Sequence, residues 1–300
     1  MPGRHHAQTE PTFSFEFFPP RTDDALAALL DTLRELEPLE PTFVSVTCRS
    51  GGLESERTRR LVQRVRRDTS LTTVPHLTCR GRTRDDVRAL LERYHADGVT
   101  DLLALAGDPA PGATVEGDYR YAAELVRDIQ RFNDRLADPT RRFRVGVAGF
   151  PEGHPATPNR LREMENLKAK VDAGADWICT QLFFDNRDYD DFRERCDLEG
   201  INVPILAGIM PVTSWRAYER MAELAGGVRY PAALIRSLRR CEDAEAVARV
   251  GVHWATEQCR DLLDRQVDGL HFYTLNRSRA TLEIYRSLGV RSSRALAASA

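Results

Sequence analysis

Short apolar runs alternate with longer amphipathic stretches along the whole chain. Eight runs read as strands: "FSFEF" (13–17), "TFVSVT" (42–47), "LTTVPHLT" (71–78), "DLLALAG" (101–107), "FRVGVAG" (143–149), "DWICTQLFF" (176–184), "VPILAGI" (203–209) and "GLHFYTL" (269–275). Several are almost continuously apolar, as expected of parallel strands buried on both faces. Between them, apolar residues recur at three- and four-residue spacing over 23–37, 55–69, 83–98, 120–133, 159–175, 188–200, 214–225 and 243–266, which predicts helices. Asp97-Gly98 and Ala173-Gly174 read as helix ends before the next strand.

Eight strand–helix alternations predict a parallel sheet. An open doubly wound sheet alternates in the same way, but no G-x-G-x-x-G opens a helix after a strand. Eight units in 300 residues favour closure, because a (β/α)8 TIM barrel commonly takes about 250 residues. The expected organisation is a flexible tail at 1–12, one α/β barrel at 13–290 and a flexible tail at 291–300.

Composition narrows the partners. With 42% hydrophobic residues the chain can bury a large core, and a formal charge of −2 argues against nucleic acid as a partner. Lys168 and Lys170 are the only lysines in an arginine-rich chain, and acidic residues are mixed among the arginines. The arginines of "RTRRLVQRVRR" (57–67) read as a solvated helix face, and His95 and His253 as packing or surface residues. The polar start lacks the apolar segment of a signal peptide, and no run reaches the roughly 18 apolar residues of a membrane helix. Six scattered cysteines without a C-x-x-C pair read as reduced thiols, with no metal site expected. A cytoplasmic location is the expectation.

In a barrel the carboxyl ends of the strands carry the site. Those ends hold Glu16, Thr47, His76, Thr78, Gly107, Asp108, Gln181 and Asp185, and the segments "GFPEGHP" (149–155) and "HFYTLNR" (271–277). Glu16 lies between phenylalanines in sequence. That suggests a partly desolvated carboxyl with a raised pKa, suited to general acid work near neutrality. The structural alternative is an inward glutamate tied to an arginine of a neighbouring strand. Asp108 sits between Gly107 and Pro109, either as a fixed charge beside a ligand or as an Asx turn. Two carboxylates on different strand tops offer an acid and a charge that stabilises a passing cation.

The motifs "FSFEFFPPRT", "FVSVT", "PHLTC", "LALAGDP", "GFPEGHP", "NLKAKVDAGAD", "TQLFFD", "GIMPV" and "LHFYTLNR" occur in that order over about residues 13–290. Together they resemble the methylenetetrahydrofolate reductase family. The resemblance implies a barrel that holds FAD non-covalently. It implies ping-pong hydride transfer from NADH or NADPH through the flavin to 5,10-methylenetetrahydrofolate, giving 5-methyltetrahydrofolate for methionine synthesis. It implies catalytic roles for Glu16 (general acid) and Asp108 (flavin tuning and iminium stabilisation). It implies folate contacts from Glu16, Gln181 and Arg277. FAD contacts would come from Thr47, His76, Gly107, Asp108, Tyr121, Ala122, His154, Asn166 and Lys170. Relatives often form homo-oligomers, and a homo-oligomer is expected here.

Three positions depart from the family pattern. Ala106 replaces an arginine that meets the flavin, a charged hydrogen bond worth about 1.5–3 kcal/mol, or about tenfold to a hundredfold in affinity. Phe150 replaces a tyrosine, and "TCRS" (47–50) replaces "TYGA", with Arg49 as a candidate source of the missing charge. Met221 stands where an aromatic can stack in relatives. The departures leave two alternatives: a flavin-free reductase passing hydride directly from NADH, or an inactive folate- or flavin-binding barrel. The animal enzymes' second domain, which binds S-adenosylmethionine, is not expected, nor is inhibition by that ligand.

Overall fold

A computed structural model describes residues 10–48, 52–107, 117–224 and 227–298. Its eight strands are β1 (Thr12–Phe17), β2 (Phe43–Val46), β3 (Thr73–Thr78), β4 (Asp101–Leu105), β5 (Arg144–Gly149), β6 (Trp177–Thr180), β7 (Ile205–Ile209) and β8 (Gly269–Tyr273). Each pairs in parallel with its sequence neighbour, and β8 closes on β1, so the chain forms a single closed (β/α)8 barrel. The helices are α1 (Asp23–Leu36), α2 (Gly52–Asp68), α3 (Arg84–Ala96), α4 (Ala122–Asn133), α5 (Arg160–Asp172), α6 (Asn186–Leu198), α7 (Trp215–Leu224), α8 (Ala232–Arg239), α9 (Ala244–Asp264), α10 (Arg279–Ser287) and α11 (Ser293–Ala297). No helix among the described residues is long and apolar enough to cross a membrane.

Successive strand residues point to opposite faces, and this sorts the core into layers. On β1, Phe13, Phe15 and Phe17 enter the large core between sheet and helices, where Phe15 meets Phe272 and Tyr285 of α10. The barrel interior is a separate cluster of Phe43, Val74, Leu103, Cys179 and Leu206. Trp177 packs on Phe43 inside it, ring centroids 5.4 Å apart, and Gly146 leaves the room: a Cβ there would lie 2.2 Å from the indole. A third cluster, with Leu182, Phe184, Met210, Val212 and Met221, caps the carboxyl end of β6 and β7 beneath α7–α9.

The arginines of α2 behave as expected of a solvated face: Arg57, Arg60 and Arg64 pair with Glu54, Glu56 and Asp68 within the helix. Such exposed pairs contribute little. His95 packs edge-on against Phe132 and Phe143.

The expected C-terminal tail is corrected. Residues 293–297 form α11, Ser292 caps it, Leu296 is buried in the main core, and Ser293 Oγ lies 3.0 Å from the Tyr285 hydroxyl. We expect Leu296→Ala to cost about 2 to 3 kcal/mol of unfolding free energy by denaturant titration. A frayed tail would show no change.

Candidate active site at the carboxyl end of the barrel

All eight strands run the same way, so their carboxyl ends meet at one mouth. There β1 sends Ser14 and Glu16 inward, opposite to its phenylalanines, in register with His271 and Tyr273 of β8. The Glu16 side chain is 17% exposed. One of its oxygens, Oε2, lies 3.3 Å from His76 Nε2 and 3.5 Å from His271 Nε2. The distances suit ion pairs, although neither contact has hydrogen-bond alignment. His271 Nδ1 is 2.7 Å from Ser14 Oγ, and its ring stacks over Phe43. The order Ser14, His271, Glu16, His76 is therefore a continuous polar chain set on the apolar floor of the barrel.

The electrostatics reverse the sequence expectation for Glu16. Burial raises its pKa, but the facing imidazoles of His271 and His76 outweigh burial and hold the carboxyl down at about 2. The phenylalanines beside it in sequence point to the other face of the sheet. Among the described residues its charged partners are two histidines and no arginine. Burial opposes charge on His271 as well, yet the Cys179 sulfur and the Glu16 carboxylate push its pKa up to about 10. At neutral pH the carboxylate is ionised and the proton resides on imidazole.

Thr47 follows β2 and donates its N–H to the Phe17 carbonyl at 2.8 Å, beside the end of β1. Gly107, at the top of β4, has φ 84°, a left-handed conformation that glycine takes without strain. Asp108 and Arg49 lie outside the described residues. Tyr121 and Ala122 form the start of α4, and Tyr121 is 40% exposed. Its N–H is capped by Glu124 at 2.9 Å. His154 packs against Phe150, centroids 4.5 Å apart. Asn166 and Lys170 stand one turn apart on α5, and Lys170 Nζ donates to the Ala148 carbonyl on β5. Burial pushes the Lys170 pKa down to about 8, with Glu163 acting against that shift. Gln181 leaves β6 at the mouth, its Oε1 accepting from the Leu182 N–H at 2.9 Å. Arg277 follows β8 and is exposed. Asp185 caps α6 and pairs with Arg187, a structural role. Met221 is fully buried in the third cluster.

Sequence reasoning missed His271, Ser14 and Arg82. Reading "GLHFY" (269–273) with a period of two puts His271 on the same face as Tyr273, but only the β1–β8 register brings it to Ser14. Arg82 is buried at the top of β3, where Nε donates to the Thr78 carbonyl at 2.7 Å and Nη2 to Ser55 Oγ.

Comparison with known proteins agrees with the motifs. A family model described as methylenetetrahydrofolate reductase matches residues 3–289. The chain is 37% identical over 279 residues to the 5,10-methylenetetrahydrofolate reductase of Salmonella typhimurium, covering 93% of this chain and 90% of that protein. It is 36% identical over 298 residues to methylenetetrahydrofolate reductase (NADH) 1 of Arabidopsis thaliana, covering 94% of this chain and 49% of that protein. The chain thus spans about half the plant relative and nine-tenths of the bacterial one. Among solved structures, an uncharacterized Clostridium thermocellum protein that binds two copies of 5-methyl-5,6,7,8-tetrahydrofolic acid superposes with a TM-score of 0.64. At 13% identity, over 98% of this chain and 97% of that one, it speaks for the fold alone. From its ordered motifs, its barrel and these relatives, the chain belongs to the methylenetetrahydrofolate reductase family.

Proposed function

We propose that this barrel reduces 5,10-methylenetetrahydrofolate to 5-methyltetrahydrofolate with NADH or NADPH as electron donor and FAD as the resident cofactor. The observation that carries the reading is the inward Glu16 carboxylate at the mouth, facing the imidazoles of His76 and His271, with a proton held on His271. Opening the folate's five-membered ring makes a nitrogen a leaving group and leaves an iminium cation. That chemistry needs a proton donor and a nearby negative charge. Glu16 relays a proton from the His271 imidazole to the leaving nitrogen, and its carboxylate then favours the cation. Asp108 supplies the second charge. Gln181 turns its amide to the pterin edge, and Arg277 binds a carboxylate of the folate tail.

The described residues fit a flavin. Thr78 Oγ1 is buried at the inner top of β3 with no hydrogen-bond partner among the described residues, and Lys170 is a half-buried lysine whose hydrogen bond is to a carbonyl. Thr47, His76, Gly107, Asp108, Tyr121, Ala122, His154, Asn166 and Lys170 would hold FAD. When bound, FAD supplies acceptance of a hydride from the nicotinamide and its return to the folate. This reading carries with it ping-pong kinetics, a cytoplasmic location, a homo-oligomer and a role in methionine synthesis.

The test is NAD(P)H oxidation dependent on methylenetetrahydrofolate, read together with the visible spectrum of the purified protein. Flavin absorption with folate-dependent turnover is expected. Turnover by a colourless protein without added FAD would overturn the flavin, and no turnover by a flavin-loaded protein would overturn the reductase. We further expect Lys170→Met to weaken FAD binding about tenfold to a hundredfold, as loss of a charged hydrogen bond implies. Flavin fluorescence titration measures it, and unchanged affinity would leave Lys170 as a strut between α5 and β5.

A further inference from the structure

The segment after β5 is clamped by two helices. The Pro151 carbonyl accepts from Arg160 Nη1 of α5 at 3.4 Å and from Arg195 Nη2 of α6 at 3.3 Å. Glu152 stands on this turn, two residues before His154, with its side chain 11% exposed. The turn presents that carboxylate as a fixed post at the rim of the mouth.

Arg229, in the segment between α7 and α8, joins the post to a second carboxylate. Its N–H donates to Glu152 Oε2 at 2.7 Å, its Nε lies 3.7 Å from the same oxygen, and its Nη2 donates to Asp188 on the first turn of α6. Burial raises the pKa of both carboxyls; the Asp188 charge adds to the rise at Glu152, and Arg229 opposes it at both. Glu152 Oε1 has no hydrogen-bond partner among the described residues. The Arg229 side chain is itself 61% exposed, so its ion pairs add little to the stability of the barrel as a whole. What they fix is local.

The next residue shows what is fixed. The Tyr230 ring lies between Tyr218 of α7 and Phe184 after β6, with centroids 4.1 and 4.9 Å away, and its hydroxyl donates to the Tyr218 carbonyl at 2.6 Å. These aromatics belong to the third cluster, above the ends of β6 and β7, and Tyr273 of β8 packs against the same cluster. Tyr273 in turn meets His271 edge-on, centroids 5.2 Å apart. The cluster that Arg229 anchors is therefore a wall of the mouth on the side of Glu16 and its histidines.

We propose that Arg229 is a positioning residue for both substrates: by bridging Glu152 and Asp188 it fixes the aromatic cluster at the mouth, and so sets how tightly nicotinamide and folate bind there. The inference rests on the ping-pong reading, in which the two meet one flavin in turn and share that wall. Arg229 acts through the cluster and not on the reacting atoms. Withdrawing it leaves two neighbouring carboxylates without their common cation, and the segment that carries Tyr230 loses its post.

The experiment compares Arg229→Ala and Arg229→Lys with the unaltered FAD-loaded protein in NADH oxidation dependent on methylenetetrahydrofolate. In Arg229→Ala we expect KM for NADH and for the folate to rise together by about fivefold, the effect of one exposed ion pair, with kcat within about twofold. Arg229→Lys recovers part of the loss, since an ammonium reaches one carboxylate where a guanidinium spans two. Without substrates, hydrogen exchange in Arg229→Ala speeds up at residues 227–231 and not in the strands. Flavin titration gives an unchanged FAD affinity. Unchanged KM values in Arg229→Ala overturn the proposal. So does a rise for NADH alone, which makes Arg229 a nucleotide contact, and so does a matching loss of FAD affinity, which makes it part of the flavin site. A flavin-loaded, unaltered protein that reduces no folate overturns the folate reading itself, and the shared wall with it.

Discussion

Glu16→Gln is expected to lower folate reduction by about 10² to 10⁴, the usual contribution of a positioned acid, while NADH reduces the flavin at nearly the normal rate. The amide keeps the size of the carboxyl and its place between His76 and His271, but it neither relays a proton nor carries charge. Hydride transfer from nicotinamide to flavin requires neither property. Stopped-flow measurement of the two half-reactions separates the outcomes. An equal fall in both would mean that Glu16 shapes the pocket and does not act on the folate.

The barrel was legible because parallel strands covered on both faces must be apolar on both faces. "TFVSVT" and "VPILAGI" announce themselves, and the structure trims each by a residue or two. The run at 176–184 misled for a physical reason. Only Trp177–Thr180 is strand; Leu182 and Phe184 are apolar because they enter the cluster above the sheet. Helix α8, and α10 and α11 after the last strand, were not read. Helix α11 is five residues long, too short for a helical period to show.

The site was half legible. A glutamate at the end of an apolar strand stands out, and so does its place at the mouth once the barrel is inferred. Its environment was misread because neighbours in sequence are not neighbours in a strand: Phe15 faces Tyr285 across the helix layer, while Glu16 faces two histidines from β3 and β8. The inferred barrel sets β8 beside β1 but does not give the register that aligns Ser14 with His271 and Glu16 with Tyr273. Without that register His271 is one more strand residue, and the sign of the Glu16 shift does not follow.

His271→Leu should expose the energetics of that arrangement. It removes one cation from a buried carboxylate and leaves Ser14 Oγ without its partner. Breaking a buried pair costs about 3–5 kcal/mol when no other partner remains. With His76 still 3.3 Å away, we expect about 2 kcal/mol near neutrality. The double variant with Glu16→Gln should lose less than the sum of the two single losses, because each single change strands the other group. The pH dependence has a definite sign. Glu16 is depressed to about 2, so its stabilisation is complete above the unfolded value of about 4.3 and is lost as pH falls through about 2. His271 is raised to about 10, so its stabilisation is complete below about 6.5 and is lost as pH rises through about 10. Measured against His271→Leu, the unaltered protein should therefore lose stability from neutrality toward pH 10. Denaturant midpoints across this range measure it. Parallel curves for the two proteins would mean that His271 is neutral in the folded state and is not the source of the proton for Glu16.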